Sequence, residues 1–310
     1  MNSNFYWSVY KNIEKEVLEL TNHIHFDDNQ INIYSMKMAE LLIRTVVEIE
    51  SISKELYFLN DGEKANDNNL FFDTDCLDLL ENKWRLSKKQ VLLTSTNFHF
   101  TTFKTLTPLK KANKRGSSSS KWQQAYQGIK HNRNQNFQKG NIKNLLEACG
   151  ALYLLNLYYK NETYPLEKDI FGDKFDNNLG SNIFSIKINK YNQVSFEGKY
   201  PKNEDYENTT YLIQHTDESY KDYSSVIVSI GNEIDSLNEL EIPSKLGEIS
   251  EKYKNINYEQ MSEDLPEEIK KIAEEISFNN QVKVMQRNYS KFNDIYSKSK
   301  YEAVLNKNQY

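Results

Sequence analysis

No aspartate or glutamate occurs between Glu81 and Glu147 in this chain of 310 residues. Fourteen of the 39 lysines and arginines lie in that stretch, residues 82–146, which leaves 25 cations to face all 44 carboxylates elsewhere. The net charge of −5 is therefore the sum of a strongly basic segment and a remainder of net charge −19. A stretch of this length would ordinarily hold about nine carboxylates. The overall charge is thus no guide to partners, and we call residues 82–146 the basic tract.

Other absences exclude whole classes of protein. The mean hydropathy is −0.76, and no apolar run approaches the length of a membrane-spanning helix. The first ten residues lack the pattern of a signal peptide, so we expect a cytoplasmic protein with no membrane partner. The two cysteines, Cys76 and Cys149, are too far apart for a zinc finger or a disulfide scaffold, and we expect both to be reduced. Neither a glycine-rich phosphate loop nor a serine-hydrolase elbow is present.

A short segment with metal-capable side chains precedes the longest early helix. It contains His23, His25, Asp27 and Asp28. Two histidines two residues apart beside acidic residues are a common coincidence, and a metal needs a defined ligand geometry. We therefore expect no metal and no cofactor.

Apolar periodicity predicts a mainly helical protein of the α+β class. Ser35 is a plausible N-cap for a helix that extends to Leu59, with Leu42, Val46 and Ile49 on one face. Further helices are expected over Phe5–Leu20 and Asp73–Leu86, the latter with Leu77, Leu80 and Trp84 inward. A longer helix or helix pair is expected over Lys121–Tyr159.

Between and after these helices, the sequence predicts small β elements. Val91–Thr107 indicates a hairpin or two short strands, and Lys110–Ser120 indicates a mobile basic loop. Phe184–Ile188 and Val194–Glu197 resemble a hairpin, and Thr210–His215 a third strand. The chain from Tyr220 is helical and acidic, with Pro243 and Pro266 separating helices and a last helix over Phe278–Leu305. We therefore expect three parts: a helical domain over 1–165, a small β-rich segment over 166–218 and an acidic helical region over 219–310.

The densest chemistry lies in the segment Lys130-His131-Asn132-Arg133. Neighbouring cations favour the neutral form of His131, which is the form that acts as a general base. The planar fork of Arg133 matches phosphate oxygens. The alternative is a helix terminus with solvated cations, where His131 binds a backbone carbonyl. Residues two apart on a helix point about 200° apart, so His131 and Arg133 share one site only if the helix is irregular there.

The helix Glu40–Lys54, followed by Tyr126-x-x-x-Lys130-His131-x-Arg133 and an apolar helix, resembles the HEPN superfamily (higher eukaryotes and prokaryotes nucleotide-binding). The resemblance covers residues 35–160. It implies a helical bundle that forms a homodimer, and it implies a metal-independent endoribonuclease of phage-defence or toxin–antitoxin systems. The usual signature of that superfamily places an Arg before a His, whereas here His131 precedes Arg133.

The resemblance assigns roles to particular residues. It implies that His131 transfers a proton and that Arg133 binds phosphate. Lys130 and Asn132 would then position the substrate. Glu50 and Lys54 would support the site, although an i,i+4 pair of this kind also stabilises a helix by about 0.3–0.5 kcal/mol without further function.

The basic tract predicts a nucleic-acid partner, because clustered cations bind phosphates and release counterions. The expected RNA contacts are Lys110, Lys111, Lys114, Arg115, Trp122 and Tyr126. The rings of Trp122 and Tyr126, with Phe98 and Phe100, are expected to stack on unpaired bases. The alternative is that the tract packs against the acidic end of the same chain or of a second subunit, at Glu248, Glu251, Glu259, Glu263, Asp264, Glu267, Glu268, Glu274 and Glu275.

Two functions therefore remain open from the sequence. The first is an RNA-binding protein that cleaves RNA without metal. The second is a non-catalytic interaction or regulatory subunit, of a defence complex or antitoxin-like, that contacts a protein partner through its acidic C-terminal region.

Overall fold

A computed structural model describes residues 5–66, 69–191, 193–249, 251 and 266–310. Within that part of the chain the protein is mainly helical with small sheets. The helices are α1 (Phe5–Leu20), α2 (Met36–Leu59), α3 (Asp78–Trp84), α4 (Lys121–His131), α5 (Arg133–Asn136), α6 (Ile142–Lys160), α7 (Asp217–Ile249) and α8 (Glu267–Lys298). The strands are β1 (Phe26–Asp27), β2 (Val91–Leu93), β3 (Phe98–His99), β4 (Thr105–Leu106), β5 (Tyr164–Glu167), β6 (Phe184–Ile186), β7 (Ile188–Asn189), β8 (Tyr211–His215) and β9 (Tyr301–Leu305).

Helices α2 and α6 pack against each other at the centre of the main core, with α1 and α4 beside them. The Ser35 hydroxyl accepts a hydrogen bond from the Met38 amide, which confirms Ser35 as the N-cap of α2. The turn that leads into α6 approaches α2 closely at Gly140, where a Cβ would lie 2.6 Å from the Cβ of Ala39. Only glycine fits this contact without displacing a helix.

The predicted helix over Asp73–Leu86 forms in two parts. A π-helical turn over Phe72–Leu77 leads directly into α3. Leu77, Leu80 and Trp84 are buried, as their spacing predicted.

The β elements are only partly as expected. Strands β2 and β4 form the predicted antiparallel hairpin. The second hairpin prediction was wrong: β6 pairs with β2, β7 pairs in parallel with β8, and residues 194–197 contain no strand. Asn192, at the predicted turn, lies outside the described residues.

The C-terminal residues form a strand, so the prediction of a last helix extending to Leu305 was wrong. Helix α8 ends at Lys298, and β9 lies between β5 and β8 in a four-stranded sheet of order β5-β9-β8-β7. Burial along β9 alternates, with Tyr301, Ala303 and Leu305 inward. That two-residue period is the mark of a strand.

Helices α7 and α8 pack along each other and form a helical hairpin that we call the arm. Pro243 lies inside α7, so the prediction that it separates two helices was wrong, whereas Pro266 is the N-cap of α8. In the middle of the arm the Asn280 Nδ2 atom donates a hydrogen bond to Asn238 Oδ1 at 3.0 Å. Of the helices described, none is both long and apolar enough to cross a membrane.

Candidate functional site

A cavity of about 410 Å³ opens between α2, α4 and two loops, and we call it the basic cavity. It brings together five residues that the sequence singled out: Glu50, Lys54, Lys114, Arg115 and Lys130. Its other lining residues are Leu70, Phe71, Phe72, Asp73, Gly116, Ser119, Gln123 and Gln127. The cavity therefore combines four cations with two carboxylates, two amides and an apolar wall.

Helices α2 and α4 fix the inner side of the basic cavity. A capping box at the start of α4, in which the Ser120 amide donates to Gln123 Oε1, sets the direction of that helix. Buried Tyr126 on α4 then reaches the Glu50 carboxylate of α2 with its hydroxyl, beside Lys130. These three side chains form a connected polar group between the helices.

The environment shifts the proton affinities in this group. Burial raises the pKa of Glu50, against the opposing effects of Lys130 and of the hydrogen bond from Tyr126. Burial and the neighbouring Glu50 carboxylate raise the pKa of Tyr126. A carboxylate with a raised pKa beside a cation is a suitable proton acceptor at neutral pH.

The outer side of the basic cavity is formed by Arg115. Its Nη2 and Nε atoms donate to the Asp73 carboxylate at 2.8 Å and 3.0 Å, and its guanidinium lies 3.6 Å from the centre of the Phe71 ring. Asn113 donates to Asp78 from the same loop. The loop over 110–120 is therefore tied to the segment over 71–78 by specific contacts.

A second concavity of about 250 Å³ lies on the other part of this loop, and we call it the loop cavity. It holds the predicted contacts Lys110 and Lys111, and it shares Ser119 with the basic cavity. Its remaining lining residues are Thr107, Pro108, Ser117, Ser120, Lys121, Gln124 and Glu147. The cations of the loop thus serve two adjacent cavities.

His131 and Arg133, the two residues expected to be catalytic, are exposed and line neither cavity. Helix α4 ends at His131, and Asn132 leaves the helical conformation with φ −147° and ψ 78°. The Asn132 side chain caps α5 by accepting from the Gln135 amide. The irregular turn that a shared site requires is present, but only Lys130 of this segment reaches the basic cavity.

The aromatic residues expected to stack on bases are mostly in the core. Trp122 is fully buried and its indole donates to the Pro108 carbonyl oxygen at 2.8 Å. Tyr126 and Phe100 are buried too, and Phe98 is half-buried against Phe26. The structure therefore corrects the assignment of Trp122, Tyr126 and Phe100 as a stacking surface, because these rings are buried, and Phe98 is only partly accessible.

Phe71, Asp73, Gln123 and Gln127 were not predicted as site residues. Gln123, Gln127 and Lys130 follow one another at four and three residues, so the face of α4 that bears Lys130 contained the signal for both amides. Phe71 and Asp73 belong to a segment that packs beside α4, and nothing in the sequence near them predicts that contact.

The segment with His23, His25, Asp27 and Asp28 makes structural contacts with neighbouring loops. Asp27 accepts hydrogen bonds from the Asn29 and Gln30 amides, and His25 stacks on His99. Hydrogen bonds from Thr101 and Thr102 lower the pKa of Asp28 well below its usual range. The carboxylates of this segment therefore hold loops together.

The arm does not cover the basic tract in the part of the chain that the structure describes. No ion pair there joins the two, and the cations of the arm neutralise its own acids, as in Lys283–Glu241 and Arg287–Glu233. The intramolecular alternative is thus not formed by Glu248, Glu267, Glu268, Glu274 and Glu275. Glu259, Glu263 and Asp264 lie outside the described residues.

Comparison with protein-family models, with curated proteins and with solved structures finds no match to this chain.

Proposed function

We propose that this chain is an RNA-binding protein with an HEPN-like helical domain, and that RNA binds along the basic and loop cavities. The observation that carries the proposal is the meeting of Lys54, Lys114 and Lys130 in one concave site, because phosphate recognition depends on clustered cations. The carboxylate of Asp73 already pairs with Arg115. The Glu50 carboxylate lies beside Lys54 and Lys130, so the four cations of the cavity outnumber its two carboxylates and favour an added anion.

The arrangement of two cavities favours a polymeric ligand. A mononucleotide would occupy one of them, whereas a nucleic-acid strand places successive phosphates along a surface. Lys110, Lys111 and Lys121 at the loop cavity continue the positive charge of the basic cavity past Ser119. The exposed faces of Phe71 and its stacked Arg115 offer the base contact that the buried aromatic residues do not.

Binding is tested with a labelled single-stranded RNA by fluorescence anisotropy over a range of salt concentrations. The double variant K114Q/K130Q should weaken binding by about tenfold or more and reduce the slope of log affinity against log salt by about 1.4 units. The matched control K88Q/K104Q removes two exposed lysines of the same tract that line neither cavity, and it should retain most of the affinity. Equal losses in both variants would contradict a localised site.

RNA cleavage is the second candidate function, and Glu50 is the residue that favours it. In this step the Glu50 carboxylate accepts the proton of a 2′-hydroxyl, and the 2′-oxygen forms a bond to the adjacent phosphorus. The bond from phosphorus to the 5′-oxygen of the next nucleotide breaks, that oxygen takes a proton from water and leaves as a 5′-hydroxyl, and a 2′,3′-cyclic phosphate results. Lys130 stabilises the negative charge that develops on the phosphate.

Cleavage is tested by incubating total RNA with the protein in EDTA. E50Q should lose about 100-fold in rate or more, while H131A should keep most activity. Loss of activity in H131A but not in E50Q would show that His131 is the general base. RNA binding by a wild-type protein that leaves RNA intact would instead support the non-catalytic interaction subunit.

A further inference from the structure

Helix α8 carries a second apolar face in addition to the one that packs on α7. Its members are separated by four, three, four, three and four residues, the spacing of a heptad repeat. On an α-helix they lie within an arc of about 80° and along about 27 Å. We call this face the outer stripe, and it consists of Phe278, Val282, Met285, Tyr289, Phe292 and Tyr296.

Most of the outer stripe points away from α7, while Met285 packs on the cluster around Val284 and the Phe292 ring lies 5.8 Å from the ring of Tyr223 on α7. The residues of α8 that are buried against α7, such as Ala273, Asn280 and Val284, lie on the opposite side of the helix. Phe278 is 64% exposed and Tyr289 is 65% exposed. Val282 and Tyr296 are exposed as well, while Met285 and Phe292 are half-buried. A row of this length is unusual for a surface without a partner.

We propose that the outer stripe binds the same stripe of a second copy of this chain, with the two α8 helices antiparallel. In that register Val282 lies opposite Phe292, and Met285 lies opposite Tyr289. Each smaller or flexible side chain thus meets an aromatic ring, and only Phe278 and Tyr296 pair ring with ring. A parallel pair would place Val282 against Val282 and all four rings against their own copies. Two arms joined in this way form a four-helix bundle with two-fold symmetry.

The charge on either side of the stripe fits a second copy. The flanking positions on α8 are the uncharged amides Asn279, Gln281, Gln286 and Asn293. The charged residues Lys283 and Arg287 lie toward α7, where they pair with its acids. Two identical stripes can therefore meet without bringing like charges together. An acidic or basic partner surface would find no opposite charges along these flanks.

The exposed area matches a reversible dimer. A buried aromatic side chain contributes about 150–250 Å², so the exposed parts of the stripe offer on the order of 400 Å² per copy. Two copies with their flanking amides bury roughly 1,000 Å², the lower limit of specific interfaces. We therefore expect the dissociation constant of the dimer to lie in the micromolar range, at about 1–100 μM. This interface does not depend on the proposed RNA site.

Site-specific cross-linking tests the antiparallel register, since Cys76 and Cys149 are buried. Under mild oxidation Q286C should form a disulfide with itself across the two-fold axis. A mixture of N279C and N293C should cross-link, while each alone should not, because like positions lie about 18–24 Å apart along antiparallel helices. K291C, exposed and about 120–160° around α8 from the other three positions, is the control. Cross-linking of N279C with itself in place of the mixture would overturn the register.

Sedimentation equilibrium tests the interface itself. F278Q/Y289Q should weaken dimerisation by at least about tenfold, while L240Q, at an exposed leucine of α7, should not change it. Far-UV circular dichroism should be unchanged in both variants, because the stripe is not needed to bury the core of the arm. A wild-type protein that remains monomeric at about 100 μM would overturn the proposal.

Discussion

Lys89 belongs to the basic tract by sequence, but its side chain is in the interior and is only 1% exposed. Burial lowers its pKa to about 7, although Glu207 and Glu81 oppose this effect. The tract is therefore less positive at its surface than a count of its cations indicates. Lys89 shows that composition measures charge without measuring where the charge lies.

Replacing Lys89 should stabilise the protein at neutral pH. The unfolded chain keeps Lys89 protonated up to pH 10.5, whereas the folded protein disfavours the charged form, so folding is penalised and the penalty decreases as pH rises from 7. K89M should therefore raise the free energy of unfolding by about 1–3 kcal/mol at pH 7, and by less at pH 10. Urea denaturation at both pH values measures this, with K88M as the exposed control. A loss of stability in K89M at pH 7 would contradict it.

Burial of His215 makes the stability of the fold depend on pH. It is buried in β8 beside the Tyr200 hydroxyl and the Tyr301 ring, and burial lowers its pKa to about 4. The unfolded chain takes up a proton below pH 6.5 and the folded protein does not, so stability present above pH 6.5 decreases as pH falls toward 4.

The loss attributable to His215 should be about 2 kcal/mol between pH 7 and pH 5. H215F keeps an aromatic ring in place and removes the titrating group, so its unfolding free energy should fall less than that of the wild type over the same interval. Chemical denaturation at the two pH values gives the difference. Parallel pH profiles for the two proteins would show that His215 is not the group responsible.

At the scale of elements, the arm has a polar contact at the centre of an apolar interface. The buried amides Asn238 and Asn280 bind each other, and Asn238 also donates to Ser277. An asparagine in such a position fixes the register of two helices at some cost in stability.

The double variant N238L/N280L should therefore raise the melting temperature of the arm and reduce the uniqueness of its packing. Dispersion of the methyl resonances of Ile and Val in the arm reports the packing directly. The single variant N238L leaves Asn280 without its partner and should be less stable than the wild type by about 1–3 kcal/mol. A single variant as stable as the double would contradict this account.

The assignment of Tyr301–Leu305 as a strand also has a direct test. Ala303 is fully buried and the next residue, Val304, is half-buried on the opposite face of β9. A303K should therefore destabilise the protein by about 3 kcal/mol or more, whereas V304K should cost far less. Thermal unfolding of the two variants measures the contrast, and equal destabilisation would contradict the alternation.

Across the whole molecule, the sequence predicted the helices, the helix cap and the hairpin that local periodicity and turn residues determine. Helices α1, α2 and α6, the cap at Ser35 and the β2–β4 hairpin were all found where apolar spacing and turn residues placed them. The partners of β6 and the position of β9 depend on contacts between distant residues, and they were missed. Pro243 was misread for the same reason, because packing against α8 maintains α7 through it.

The candidate site follows the same division. Glu50 and Lys54 were identified as an i,i+4 pair on one helix, and Lys130 as a member of the segment Lys130–Arg133. The aromatic residues were assigned to RNA because a ring beside lysines is equally suited to a core and to a stacking surface. Whether a ring is buried depends on the tertiary fold, and Trp122 and Phe100 are buried.

The way the arm joins the protein has a consequence for engineering. Strands β8 and β9 are antiparallel neighbours, and His215, close to the start of α7, lies directly opposite Tyr301, close to the end of α8. Residues opposed in this way lie about 5 Å apart, a gap that a tight turn spans. The arm is thus an insertion between two strands of a β-hairpin. A two-residue Asn-Gly linker should replace it and leave the cavities intact, while uncovering Val194 and Tyr200, which pack on α7. Such a shortened chain would allow the proposed RNA binding to be measured without the proposed self-association.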